Sequence, residues 1–468
     1  MNTSKATENP SERQVKDNAN TYKNQIALLR AENTNLRRRI KVVTGSRDGW
    51  RAKCKALKSS PAKAAKADVL GGAKAARHQY SLAMVCLILE LHKYGAMSLR
   101  SCRNSVGCML VALGLSARLP SHSTIRNWLC KGGMNRLETS AAAVGEHVVY
   151  VDESIVFGSE KILLILGVPV SKIPTDRALT HSDMSVLYVG ANAEWKAEHI
   201  EAELVKIAKK KPIVYAVSDA GRNLCKAYKS LEYTHISDCT HVLANHLKRL
   251  YASDFDFESL RQLIGQLRKD WNLSKENSQY MPPTMRGKMR FANIFPCVKW
   301  AELRLAEWEN LSESVQERLV FLKEKESFIR NLARVSAVFK TVCATLKNGG
   351  FGVTQQAAIL SELATISDST ADKKVITFIE NCQSYLVELS EKSTLLTATH
   401  LLVSSDIIES FFGKFKTKIN ANNRTGLTEF LFTIANFSQP FSVEETKKAL
   451  ESVQLKDLKI VKKRKKDA

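Results

Sequence analysis

Three acidic residues, Asp152 in HVVYVDES, Asp219 closing PIVYAVSD and Glu409 in SSDIIESFFGKFK, stand in segments of different character. Carboxylates delivered from separate elements of one rigid scaffold are what two divalent cations need in order to act on a phosphodiester. Asp152 is the most informative of the three. In the middle of an apolar, β-branched run a carboxylate is costly to bury unless a metal or hydrogen bonds satisfy it. Its neighbour Glu153 is expected on the opposite face of the strand. The other acids each have a plain structural use as well. Asp219, ahead of AGRN, could cap a helix, and Asp406 with Glu409, three residues apart before an apolar run, could form a capping box.

The segments around these acids predict their own scaffold. From Gly145 onward, HVVYVDES, KILLILGVPV and MSVLYVGAN predict a meander of three strands. AEHIEAELVKIAKKK predicts a helix with Ile200, Leu204 and Ile207 on one face, and the almost wholly apolar PIVYAVSD a strand buried on both faces. GRNLCKAYKSL and the short strand in YTHISDCTH complete the order β-β-β-α-β-α-β over residues 141–245. Helical spacing then dominates, as in SVQERLVFLKEKESFIRNLARVSAVFKTVCATL, and predicts an all-α insertion over 246–400 before the core resumes over 401–440. Trp271, Trp300 and Trp308 in the insertion either stack on an unpaired base or fill its core.

This order and these acid positions resemble the ribonuclease-H-like catalytic core of DDE-type cut-and-paste DNA transposases, over residues 145–245 and 400–440. In that family the first acid lies on the first strand, the second just after the fourth, and the third on a late helix behind an insertion. Asp152, Asp219 and Glu409 fall at those places. Asp238-Cys-Thr-His241 is similar to the [C/D]xxH string that several eukaryotic-type families carry after the second aspartate, which implies site support by Asp238 and His241. Glu409 and Lys416 resemble the last two members of the Y-x2-R-x3-E-x6-K signature of one bacterial group, and Lys416, about two helical turns on, would contact a phosphate. The tyrosine and arginine of that signature are Leu402 and Ser405 here, so membership of that group is not implied.

The resemblance implies a multidomain α/β enzyme that cleaves transposon ends and joins them to target DNA. Two Mg²⁺ ions, or Mn²⁺ in their place, would be held by Asp152, Asp219 and Glu409, and the insertion would help to hold DNA ends. Two other functions use the same features: a DNA-binding regulator that kept the fold without the chemistry, and a ribonuclease-H-like nuclease without strand transfer. A bacterial cytoplasm and nucleoid or a eukaryotic nucleus suits all three.

Composition and the remaining segments set the partners. A chain of 468 residues exceeds one compact core and predicts several domains. A net charge of +23, from 70 Lys+Arg against 47 Asp+Glu, implies a polyanion, with double-stranded DNA the first candidate. No membrane partner is expected, because the longest apolar stretch, around Leu82 to Leu91, is shorter than the roughly 20 residues a span needs and no signal-peptide pattern opens the chain. The ten cysteines contain no CxxC pair, and Cys102 and Cys108 lack a zinc-finger partner set, so reduced, buried thiols are expected. Within residues 1–56, Tyr22, Ile26, Leu29, Asn33, Leu36, Ile40 and Val43 alternate spacings of four and three. That seam predicts a parallel coiled coil, hence a homodimer or higher homo-oligomer, or else one amphipathic helix docked on the body. Residues 57–78 read as a basic linker that follows phosphates. Residues 79–140 read as three helices forming a helix-turn-helix, with His122, Arg126 and Asn127 facing DNA opposite Ile125 and Trp128, or as a plain three-helix bundle. Residues 441–468, ending KDLKIVKKRKKDA, read as a basic tail.

Overall fold

Ser81 accepts a hydrogen bond from the Met84 amide (3.3 Å) and so caps helix α1, Leu82–Tyr94, the first of three helices in this region. Helix α2 is Leu99–Ala112 and helix α3 is His122–Ala142. The computed structural model describes residues 72–459 apart from 96, 116, 143, 158–159, 273–277, 286–291 and 420–427, together with Asn33, Thr34, Leu36, Arg37, Thr44 and Asp48. The heptad seam therefore lies outside the described residues except for Asn33 and Leu36, which are helical, and the linker does so through residue 71. The chain divides into two units, residues 1–72 with 100–121 and residues 73–99 with 122–468. The segment 79–140 is thereby shared: α1 and α3 belong to the larger unit and nearly all of α2 to the smaller. Among the described residues no helix is long and apolar enough to cross a membrane.

Helix α3 runs straight through Gly132 and Gly133, which cost a helix interior roughly 1 kcal/mol each relative to alanine. The reason lies about 300 residues away in sequence. A Cβ on Gly133 would collide with the carbonyl of Phe432, in the 3-10 stretch Glu429–Phe437, and one on Gly132 would press on Asn436 and Phe441. Arg136, one turn on, is buried with all its donors engaged: Nε and Nη2 reach Glu445 (2.7 and 2.9 Å), and Nη1 and Nη2 reach the carbonyls of Asn436, Gln439 and Pro440.

The β-branched runs form one five-stranded mixed sheet: β1 His147–Phe157, β2 Glu160–Pro169, β3 Ser185–Asn192, β4 Ile213–Ser218 and β5 His235–Ser237, in the order β3-β2-β1-β4-β5. β1 is antiparallel to β2 and parallel to β4, and β4 is parallel to β5. Helices α4 (Ala197–Ala208) and α5 (Arg222–Ser230) interleave the last strands, so the expected order β-β-β-α-β-α-β is the order found. Alternation splits β1 between two cores. Val149 and Val151 pack with Ile200, Leu204 and Leu224 of α4 and α5, while Val148 and Tyr150 face the larger core on the other side. Burial on both faces is why these strands read as continuous apolar runs.

Helix α6 (Cys239–Tyr251) leads into an all-helical insertion: α7 (Phe255–Trp271), α8 (Phe295–Ala306), α9 (Glu313–Glu324), α10 (Glu326–Gly349), α11 (Val353–Asp368) and α12 (Lys373–Leu395). The expected boundary at 246 falls inside α6, which packs against α10 and α12. Trp271 and Trp300 are buried, with the Trp300 indole donating to the Tyr280 carbonyl (2.9 Å), so both are core residues; Trp308 is partly buried. The chain returns through helix α13 (Asp406–Lys418). Residues 441–468 are not tail throughout, because Val443–Ser452 forms helix α14, which buries Thr446, Ala449 and Leu450; only 460–468 lie outside the described residues.

Gly133→Ala is expected to destabilise the protein by about 1–3 kcal/mol through overpacking, seen as a lower urea midpoint. An unchanged midpoint would contradict the close approach to Phe432.

Candidate active site

Parallel pairing of β1 with β4 aligns Tyr150 with Val217, so Asp219, just past the carboxyl end of β4, stands beside Asp152 in the middle of β1, where that pairing stops. In α/β sheets that edge is where ligand sites open. Asp152 shares the face of Tyr150, towards α13, which packs on β1. On α13, Ile407, Ile408, Phe411, Phe412 and Phe415 are buried, and Glu409, Gly413 and Lys416, spaced by four and three, share a face turned to the same opening. The result is one cavity of about 350 Å³ lined by Asp152, Asp219, His241, Ser405, Glu409 and Lys416 among others. Three acids separated by up to 257 positions in sequence thus meet at one place. Glu153, expected on the far side of the strand, also lines the cavity; the β1–β2 register shifts between Glu153 and Ile155, where strict alternation ends.

Charge in this cavity is crowded. Burial, and then the charges of Asp219 and Glu409, push the Asp152 carboxyl up to about 7. Burial and Asp406 raise Glu409, and burial together with Asp219 raises Glu153. The counterweight is His241, whose hydrogen bond to Asp238 lifts its imidazole to about 9, so that it is a cation at neutral pH. The His241 side chain is 36% exposed and lines the cavity.

Asp238 lies beneath the cavity, 1% exposed. One oxygen accepts from the His241 amide (2.8 Å) and ring Nδ1 (3.0 Å), capping α6; the other accepts from the Ser405 amide (2.7 Å) and hydroxyl (3.0 Å). Burial works against its charge, but these bonds hold the carboxyl below its ordinary value. Ser405 is the residue that caps α13, with its hydroxyl committed to Asp238, so the capping box of Asp406 and Glu409 does not form. Asp219 keeps a structural use beside its place in the cavity, accepting from the Gly221 amide (3.1 Å) just before α5. Sequence reasoning missed Ser405 as a support, although the helix-start string SSDI was the signal, and missed Tyr215, whose hydroxyl accepts from the Leu402 amide (2.9 Å).

The α3 residues expected to face DNA lie elsewhere on this unit. His122 is exposed and Asn127 partly buried, while Ile125 and Trp128 are core, as their spacing predicted. Arg126 is bound within the chain, its guanidinium 2.9 Å from Glu429 and 3.5 Å from Thr428.

Among the described residues no three His, Cys, Asp or Glu side chains form a ready-made metal site. Mg²⁺ differs from structural metals in taking one or two carboxylates, with waters and substrate phosphates completing its shell. Hard carboxylate oxygens facing an open cavity, one of them kept partly protonated by burial and by its acidic neighbours, fit that requirement. No family model matches the chain, and no curated protein matches its sequence.

The Asp152 carboxyl holds its proton more tightly folded, at about 7, than at its ordinary 3.8. The contribution of Asp152 to the stability of the metal-free protein therefore falls as pH rises from about 4 through 7. In EDTA, Asp152→Asn is expected to unfold at a higher temperature than the wild type at pH 8 and not at pH 4. Equal midpoints at pH 8 would contradict the charge crowding.

Proposed function

We propose that this chain is a DDE-type DNA transposase whose sheet and flanking helices are a ribonuclease-H-like catalytic core interrupted by a helical insertion. The observation that carries the reading is the convergence of Asp152, Asp219 and Glu409, from a central strand, the end of its parallel neighbour and a returning helix, on one open cavity in which Asp152 is pushed up to about 7. The strand order β3-β2-β1-β4-β5 and the insertion between the second and third acids support it.

Asp152, Asp219 and Glu409 would hold two Mg²⁺ ions, which when bound supply activation of water or a 3′-hydroxyl and stabilisation of the leaving oxygen. The chain's own groups do the rest. His241, a cation at neutral pH, faces the cavity where charge develops on the reacting phosphate. Lys416 offers an ammonium at the rim to an adjoining phosphate. Three carboxylates on stiff elements fix the in-line geometry, which is most of what phosphoryl transfer asks of a protein. The net charge of +23 draws the DNA, with the basic N-terminal segments and His122 of α3 as further contacts, and self-association through the Tyr22–Val43 seam would pair two cores with two ends.

Nicking and strand transfer on end DNA with Mg²⁺ test this reading. Asp152→Ala, Asp219→Ala and Glu409→Ala are expected to bind DNA yet fall to the uncatalysed background in both steps. Cutting of a duplex without joining of a pre-cleaved 3′-hydroxyl end would make the protein a nuclease, and binding without cutting by the wild type would make it a regulator.

A further inference from the structure

The insertion meets the segment that carries Glu409 as α10 ends. Gly350, at φ 65, turns the chain so that Phe351 and Leu401 exchange both backbone hydrogen bonds (2.7 and 2.8 Å). A Cβ on Gly350 would collide with the His400 imidazole and the Leu401 carbonyl, so only glycine permits this approach. One turn earlier on α10, Lys347 Nζ lies 2.6 Å from Asp406 Oδ2. Asp406 is the first residue of α13, one turn ahead of Glu409. On its other side the same stretch is tied to the sheet unit, through the Tyr215 hydroxyl to Leu402 and the Asp238 carboxylate to Ser405.

We propose that Lys347 is a positioning residue for Glu409, and that the end of α10 is a clamp fixing where the third carboxylate stands. The insertion then has a task besides holding DNA: without its grip, residues 401–406 are fastened to the sheet side alone, and the first turn of α13, ahead of its packed phenylalanines, loosens about that attachment. The proposal rests on the reading above only in taking Glu409 as a site carboxylate. Lys347 and Asp406 are both partly exposed, and such pairs add little to global stability, so losing the pair should loosen the first turn of α13 and leave the fold intact.

Hydrogen exchange across residues 401–413 of the full chain, without metal or DNA, tests the clamp directly. Lys347→Met is expected to speed exchange in α13 with the unfolding midpoint unchanged, Lys347→Arg to behave as wild type, and Gly350→Ala to speed exchange in α13 likewise but with a lowered midpoint, because its Cβ meets the Leu401 carbonyl. Mn²⁺ affinity, read by electron paramagnetic resonance, should weaken about 10–100-fold in Lys347→Met, with kcat on DNA falling by a like factor and KM unchanged. Wild-type exchange in both Lys347→Met and Gly350→Ala, or an Arg variant as defective as Met, overturns the clamp. A wild type that never cuts DNA counts against the transposase reading, and the exchange result still decides the clamp.

Discussion

The buried carboxylate of Asp238 is the constraint on which the rest of the site depends. It carries charge at a position that is 1% exposed, which only a full set of charge-assisted hydrogen bonds makes affordable. Two come from His241 and two from Ser405, residues separated by 164 positions in sequence. One group therefore does two things: it sets the start of α6 with a charged imidazole facing the cavity, and it sets the start of α13 with Glu409 one turn in. Asp152 and Asp219 need no such device, because the parallel register of β1 and β4 already places them side by side.

What is assembled in this way is electrostatically unfavourable when empty of cations. Burial and like charges raise Asp152, Glu153 and Glu409 together, and His241 offsets only part of it. The apolar packing of both sheet faces and of the α13 phenylalanines holds the acids in place against this repulsion. The divalent metal of the proposed function would relieve this repulsion, since a rigid scaffold keeps the carboxylates near one another beside an open cavity.

Much of this was legible in the sequence because it is local. The β-branched runs, the amphipathic helix around Ile200 and Leu204 and the helical insertion follow from period and composition, and so does the suspicion attached to Asp152. The DxxH string drew attention to Asp238 and His241, though not to Ser405 as their partner. What escaped depends on contacts between remote segments. Gly132 and Gly133 stand inside a helix for a reason that shows only when Phe432 is seen against them. The pairing of Arg126 with Glu429 is announced by nothing near either residue, and residues 443–452 look like tail until Arg136 holds Glu445. Glu153 follows alternation until the register of β1 shifts. No pattern within twenty residues contains that information.

The central claim is that Asp152, Asp219 and Glu409 share bound metal, and iron-directed backbone cleavage tests it most directly. Fe²⁺ taking the place of Mg²⁺ in this chain, with ascorbate and peroxide, generates radicals that cut the chain beside the ion. The account predicts cuts at three segments, around residues 152, 219 and 409, all suppressed by excess Mg²⁺. Cuts missing from any one of the three, or indifferent to Mg²⁺, would contradict it.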